Sequence, residues 1–129
     1  MSQFVVYGRR QVLAPLRAEF SVLLQDVAVA VLGLPPDKRF HRFVLMDAED
    51  FPTPPHRSER YTIVEVMMFS GRTVATKKAF YAELFAGVEA RLGIAPNDLE
   101  IHILETPRHD WGIRGKAGDD LALAYEIER

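Results

Sequence analysis

Residues 61–105 read YTIVEVMMFSGRTVATKKAFYAELFAGVEARLGIAPNDLEIHILE, and the order of patterns within them sets the fold. Residues 62–69 are nearly continuously apolar apart from Glu65, the pattern of a strand covered on both faces. Gly71-Arg72 ends that run, and Thr73 is placed to cap a helix by accepting from its first free N–H groups. Phe80, Leu84, Val88 and Leu92 then follow a four-residue spacing while Lys77, Lys78, Glu83 and Glu89 take other faces, which predicts an amphipathic helix. Leu92-Gly93-Ile94-Ala95-Pro96 supplies its stop. Ile101 and Ile103 alternate with Glu100 and His102, so a half-buried strand closes the unit.

The amino-terminal half reads in the same order. Phe4-Val5-Val6-Tyr7 is a short β-forming run that meets Gly8-Arg9. Leu13, Leu16, Phe20, Leu23, Leu24, Val27 and Val31 fall at helical spacing and predict one helix over 12–32, with Pro15 tolerated in the first turn. Leu32-Gly33-Leu34-Pro35 stops it, and 39–47 reads as a strand. The offset between the halves is about 60 residues, which points to one duplicated strand–helix–strand unit rather than a solenoid. The expected fold is therefore a single α+β domain over 1–129, with βαβ repeats at about 1–47 and 61–106, then a hairpin and tail. Its mixed four-stranded sheet carries two helices on one face. The other face would expose apolar strand residues to water, so the chain is expected to form a homo-oligomer.

The connecting stretch 48–59 holds Pro52, Pro54 and Pro55 and predicts a surface crossing. A ferredoxin-like domain has the same βαββαβ order, but it usually joins its middle strands tightly. Trp111-Gly112-Ile113-Arg114-Gly115 suggests a small hairpin whose glycines permit positive φ, and 121–127 reads as either a strand or a helical turn.

Composition excludes several function classes. A formal net charge of −2 and the lack of a basic face argue against sequence-independent nucleic-acid binding. The chain contains no cysteine, which removes disulfides and thiolate metal sites, and its four histidines show no ligand-like spacing. No Gly-rich phosphate loop follows a strand and no serine sits in a nucleophile elbow, so no cofactor is implied. No apolar run is long enough to span a bilayer, and the first residues lack the pattern of a signal peptide, which points to the cytoplasm.

Gly8-Arg9, Pro35 through Arg39-Phe40, Gly71-Arg72 with Lys78-Ala79-Phe80-Tyr81, and Asp110-Trp111-Gly112 stand in an order and spacing that resembles the tautomerase superfamily. The resemblance covers almost the whole chain. It is nearest to the tandem βαβ members similar to malonate semialdehyde decarboxylase and cis-3-chloroacrylic acid dehalogenase. It implies a trimer, a small carboxylate or 2-oxo acid as ligand, and an amino-terminal proline as the catalytic amine. The sequence departs from that pattern at three points. Ser2 stands where the proline would follow the initiator methionine, Lys38 precedes Arg39 where the decarboxylase-like members carry an acid, and Ser70 takes the place of one of two arginines while Arg72 keeps the other.

Five residues are candidates for a site. Ser2, freed of Met1, would present a primary amine with an ordinary pKa of about 7.7 to 8.0. Arg72, at a strand-to-helix turn, suits bidentate carboxylate binding, or else pairs as a surface arginine with Glu65 or Glu83. Trp111 either lines an apolar pocket wall or belongs to core or interface. Arg39 and His41, two apart on a strand, point the same way, although a satisfied structural histidine is the commoner role for His41. Two function classes follow: a tautomerase-type enzyme with isomerase or decarboxylase activity on a small 2-oxo acid, and a non-catalytic binding or assembly protein that has lost the proline base.

Overall fold

The computed structural model describes residues 2–127. The first half runs β1 (Ser2–Arg9), α1 (Arg10–Leu13), a 3-10 turn (Ala14–Leu16), α2 (Arg17–Val27), a π-helical end (Ala28–Leu32) and β2 (His41–Met46). The second runs β3 (Thr62–Phe69), α3 (Val74–Leu92) and β4 (Leu99–Thr106), followed by the hairpin β5 (Gly112–Ile113) and β6 (Lys116–Ala117). The sheet order is β2-β1-β3-β4. β1 and β2 are parallel, β3 and β4 are parallel, and β1 and β3 meet antiparallel at the centre with Val6 opposite Val64. The α+β architecture is that of two βαβ units side by side.

Equivalent positions in the halves differ by about 60, the offset expected of a tandem repeat. Gly33 ends the first helical segment at φ 68, ψ 25 and Gly93 ends α3 at φ 69, ψ 26, both in the left-handed conformation that glycine adopts without a Cβ penalty. The likeness runs beyond 47 and 106. A 3-10 turn at Ala48–Asp50 leads to Phe51, which stacks on Tyr61 at 5.6 Å, and one at Arg108–Asp110 leads to Trp111, which meets Phe69 edge-on at 5.2 Å. The two Gly-Arg pairs, however, are not equivalent. Gly8-Arg9 lies inside β1, whereas Gly71-Arg72 lies in the link between β3 and α3.

The helix expected over 12–32 starts at Arg10 and is interrupted. Pro15 has no N–H for the Gln11 carbonyl, and the chain tightens into a 3-10 turn there. Residue 73 caps α3 as its type suggests: the Thr73 hydroxyl accepts from the Thr76 N–H at 3.2 Å. Helices cover only one face of the sheet. Phe4, Val6, Val64, Val66 and Met68 point into that core and meet Phe20, Leu24, Phe80 and Leu84, all buried. Burial along β3 accordingly alternates instead of being complete on both sides: Ile63, Glu65 and Met67 stay half-exposed on the opposite face, where Val44 and Leu104 are 39% and 41% exposed. On that face the Tyr7 hydroxyl donates to Glu65 Oε1 at 2.6 Å, and the bond holds the phenol pKa above its usual value.

The hairpin forms, but its turn differs from expectation. Gly112 is extended, and the positive φ angles fall on Arg114 (50°) and Gly115 (79°), the two central residues of a type I′ turn. Gly118 closes its base. A Cβ there would stand 2.2 Å from the Arg108 carbonyl oxygen. Residues 121–127 form neither strand nor helix; burial alternates along them, and Leu123, Tyr125 and Ile127 pack over Phe69 and Trp111. No helix of the described residues is long and apolar enough to cross a membrane.

Candidate functional site

At the start of β1, a cavity of ≈ 100 Å³ is lined by Ser2, by Leu34, Pro35 and Lys38 from the loop after the first helical segment, by Arg114 from the hairpin turn, and by residues 122–125. Gln25 fixes one wall. Its buried side chain donates from Nε2 to the Pro35 and Pro36 carbonyls at 3.3 and 3.2 Å. Arg114 is held in left-handed backbone, a conformation that disfavours a residue with a Cβ and that recurs where function sustains local strain.

Two residues that line this cavity carry unsatisfied hydroxyls. Ser2 is 2% exposed and its Oγ finds no hydrogen-bond partner among the described residues; the Tyr125 hydroxyl is likewise buried and partnerless. Such groups carry a desolvation cost of about 1–3 kcal/mol each, and neighbouring cations add positive potential. The chemistry that satisfies this set is a small anion with several acceptor oxygens.

The second half shows what its equivalent place does instead. Thr62 and Asp98 stand where Ser2 and Lys38 stand in the first, and both are satisfied from within: Asp98 accepts from the Ser58 N–H at 2.8 Å and its hydroxyl at 2.5 Å, and Thr62 donates to the Arg60 carbonyl at 2.9 Å. The chain leading into β3 fills that place.

The residues singled out from sequence separate into three locations. Ser2 lines the cavity. Arg72 is not at the surface, and it pairs with neither Glu65 nor Glu83 in the contacts described: it is 5% exposed, donates from Nη2 to the Leu32 carbonyl at 3.3 Å and from Nη1 to the Phe69 carbonyl at 3.5 Å, and lies under the Tyr125 ring with its guanidinium carbon 5.9 Å from the centroid. The link between β3 and α3 turns it inward, toward the carbonyls left over at the end of the first helical segment. Trp111 packs with Phe69, Leu123, Tyr125 and Ile127, and its indole N–H donates to Thr106 Oγ1 at 2.7 Å; it sits beside the segment that covers the cavity, not on the cavity wall.

Arg39 and His41 lie elsewhere, around a shallow hollow with Gln3, Phe40 and Arg42. Arg39 precedes β2, so the two do not share a strand as expected. His41 opens the strand and turns toward the helices, where Nδ1 is 2.7 Å from Ser21 Oγ and the ring meets Phe4 edge-on at 5.2 Å. Burial, with the Arg39 charge as a smaller cause, lowers its pKa to about 4.

Sequence reasoning passed over Lys38, Arg114 and Tyr125 as functional residues. For Arg114 a signal existed, since an arginine before glycine in a two-residue hairpin loop occupies a place that asparagine or glycine normally fills. No group of His, Asp or Glu among the described residues is arranged to hold a metal ion.

Comparison with known proteins fits this geometry into a family. A family model described as "Tautomerase enzyme" matches residues 38–114. The chain belongs to the tautomerase family. Among solved structures, malonate semialdehyde decarboxylase inhibited by 3-bromopropiolate is 25% identical, with a TM-score of 0.81 over 94% of this chain and 98% of that one. A native fused 4-OT is 20% identical, with a TM-score of 0.80 over 92% and 98%. A member of the cis-3-chloroacrylic acid dehalogenase family is 20% identical, with a TM-score of 0.79 over 89% and 82%. Other fused 4-OT structures in the comparison, at 19% and 22% identity, are asymmetric and symmetric trimers.

Proposed function

We propose that this tautomerase-family protein binds a small carboxylate of 2-oxo acid size in the cavity at Ser2. Lys38 and Arg114 supply the charge, and the hydroxyls of Ser2 and Tyr125 donate to its oxygens. The observation that carries the reading is a cavity lined by two cations, Lys38 and Arg114, together with Ser2 and Tyr125, two residues whose buried hydroxyls have no partner among the described residues. An apolar wall of Leu34, Pro35 and Leu123 accepts the carbon chain. Arg72 and Trp111 act from outside the cavity, holding Tyr125 and its neighbours in place.

An amine at Ser2, exposed when Met1 is removed, would be the base for isomerase or decarboxylase-type chemistry. It would take a proton from the carbon beside the ketone, and the ammonium so formed would deliver one to the enolate oxygen to give the enol; the reverse transfer returns the proton to carbon and restores the keto acid. The competing non-catalytic reading rests on the serine in place of proline. Fused 4-OT relatives are trimers, and assembly of three copies of this chain would cover the sheet face that the helices leave open.

Calorimetry with pyruvate, run beside NMR detection of deuterium entering its methyl group, tests both parts. Binding that weakens at least tenfold in Arg114→Ala supports the site. Deuterium exchange above background that stops on N-terminal acetylation supports catalysis, whereas binding with background exchange leaves the non-catalytic protein. Absence of binding by pyruvate and other short carboxylates overturns the site.

A further inference from the structure

We infer that residues 121–127 form a strap that closes over the bound carboxylate, with Tyr125 as the contact that couples closure to binding; the inference rests on the carboxylate reading of the cavity. The strap has a fixed end. Arg108 donates to the Gly118 carbonyl from Nε and Nη2 at 3.1 and 2.9 Å and to the Leu121 carbonyl from Nη2 at 2.6 Å. Beyond Leu121 the character changes. Among the described residues, no backbone hydrogen bond involves residues 122–127, and the segment is held by side chains alone: Leu123, Tyr125 and Ile127 against Phe69 and Trp111, and Tyr125 over Arg72. A segment without ladder bonds opens at low cost compared with a core strand.

Closure is also incomplete in chemical terms. Residues 122–125 form one side of the cavity, so a molecule entering by that side requires them to move. Yet closing buries the Tyr125 hydroxyl without a partner, a cost that a ligand oxygen removes. The same contact therefore makes the closed strap weak without ligand and strong with it, which is the differential interaction that a ligand-driven shift needs. The order of events follows: the acid enters with the strap lifted, pairs with Lys38 and Arg114, and accepts from Tyr125 as the strap settles.

Trp111, the only tryptophan in the chain, sits in the strap's apolar contact and reports its position. Hydrogen exchange of the whole protein, with and without saturating pyruvate, reads the strap directly. The expected result is exchange in 122–127 that slows at least tenfold on binding, with a blue shift of Trp111 emission over the same titration. Ile127→Asp, which loosens the strap away from the cavity, should red-shift the emission and weaken pyruvate, while Tyr125→Phe should keep the unliganded emission and lose about tenfold in affinity, one hydrogen bond's share. Pyruvate that binds calorimetrically while exchange in 122–127 stays unchanged overturns the strap and leaves the cavity reading standing. Protection already present without ligand and rising with protein concentration overturns it too, by making the segment a contact between copies. No binding by any short carboxylate removes cavity and strap together.

Discussion

The Arg72 guanidinium links three parts of the chain that are far apart in sequence: it donates to the carbonyl of Leu32 at 3.3 Å, which ends the first helical segment, donates to that of Phe69 in β3, and lies beneath Tyr125. A buried donor in that role contributes to folding. Arg72→Ala should lower stability by about 2–4 kcal/mol in urea titration, since it strips charged donors from buried carbonyls. Arg72→Lys should recover only part, because one ammonium cannot reproduce the planar fork. Unchanged stability in Arg72→Ala would contradict the placement.

Arg114 should show the opposite balance. Its left-handed backbone suits asparagine better, so Arg114→Asn should raise stability by about 0.5–1 kcal/mol while weakening pyruvate binding. Paired thermal melts and calorimetry check both signs. A variant that loses stability and keeps its affinity would make the arginine a structural residue.

His41 predicts how stability depends on pH. With the folded pKa lowered to about 4 against an ordinary 6.5, the unfolded chain takes up a proton between those values that the folded chain refuses. Stability is therefore full above about pH 6.5 and falls as the pH drops toward 4, by an amount reduced by the partial exposure of the ring. Replacing His41 with Asn, which cannot titrate, should flatten that part of the profile. Urea midpoints at pH 7 and pH 5 for both proteins provide the comparison.

The Tyr7–Glu65 pair sits on the sheet face left open by the helices. If three copies assemble through this face, the carboxylate loses water and depends on the phenol. Tyr7→Phe should then weaken the trimer in sedimentation, with little effect on the secondary structure of each chain. Wild-type protein sedimenting as a monomer at all concentrations would rule out assembly through that face.

Much of the fold was legible because it rests on local signals. The four-residue spacing from Phe80 to Leu92, the Leu-Gly stops and the alternation at Ile101 and Ile103 each depend on neighbours in sequence. Pro15 is harmless only in a first turn, and the helix start at Arg10 moves it inward. The site was less legible. Ser2, Lys38, Arg114 and Tyr125 meet only through the folding of the hairpin and the segment after it, and no spacing announces a cavity made of four distant pieces. The chemistry of Arg72 is legible in the sequence but its depth is not, since sequence gives the turn and not which way it faces.

The two halves share a topology, yet in the second the chain ahead of β3 satisfies Thr62 and Asp98, the counterparts of the Ser2 and Lys38 that line the cavity in the first. Like topology does not give like capacity. Titration with a short 2-oxo acid should reach its end point at one molar equivalent per chain, and an assembly of three copies should take up three, not six.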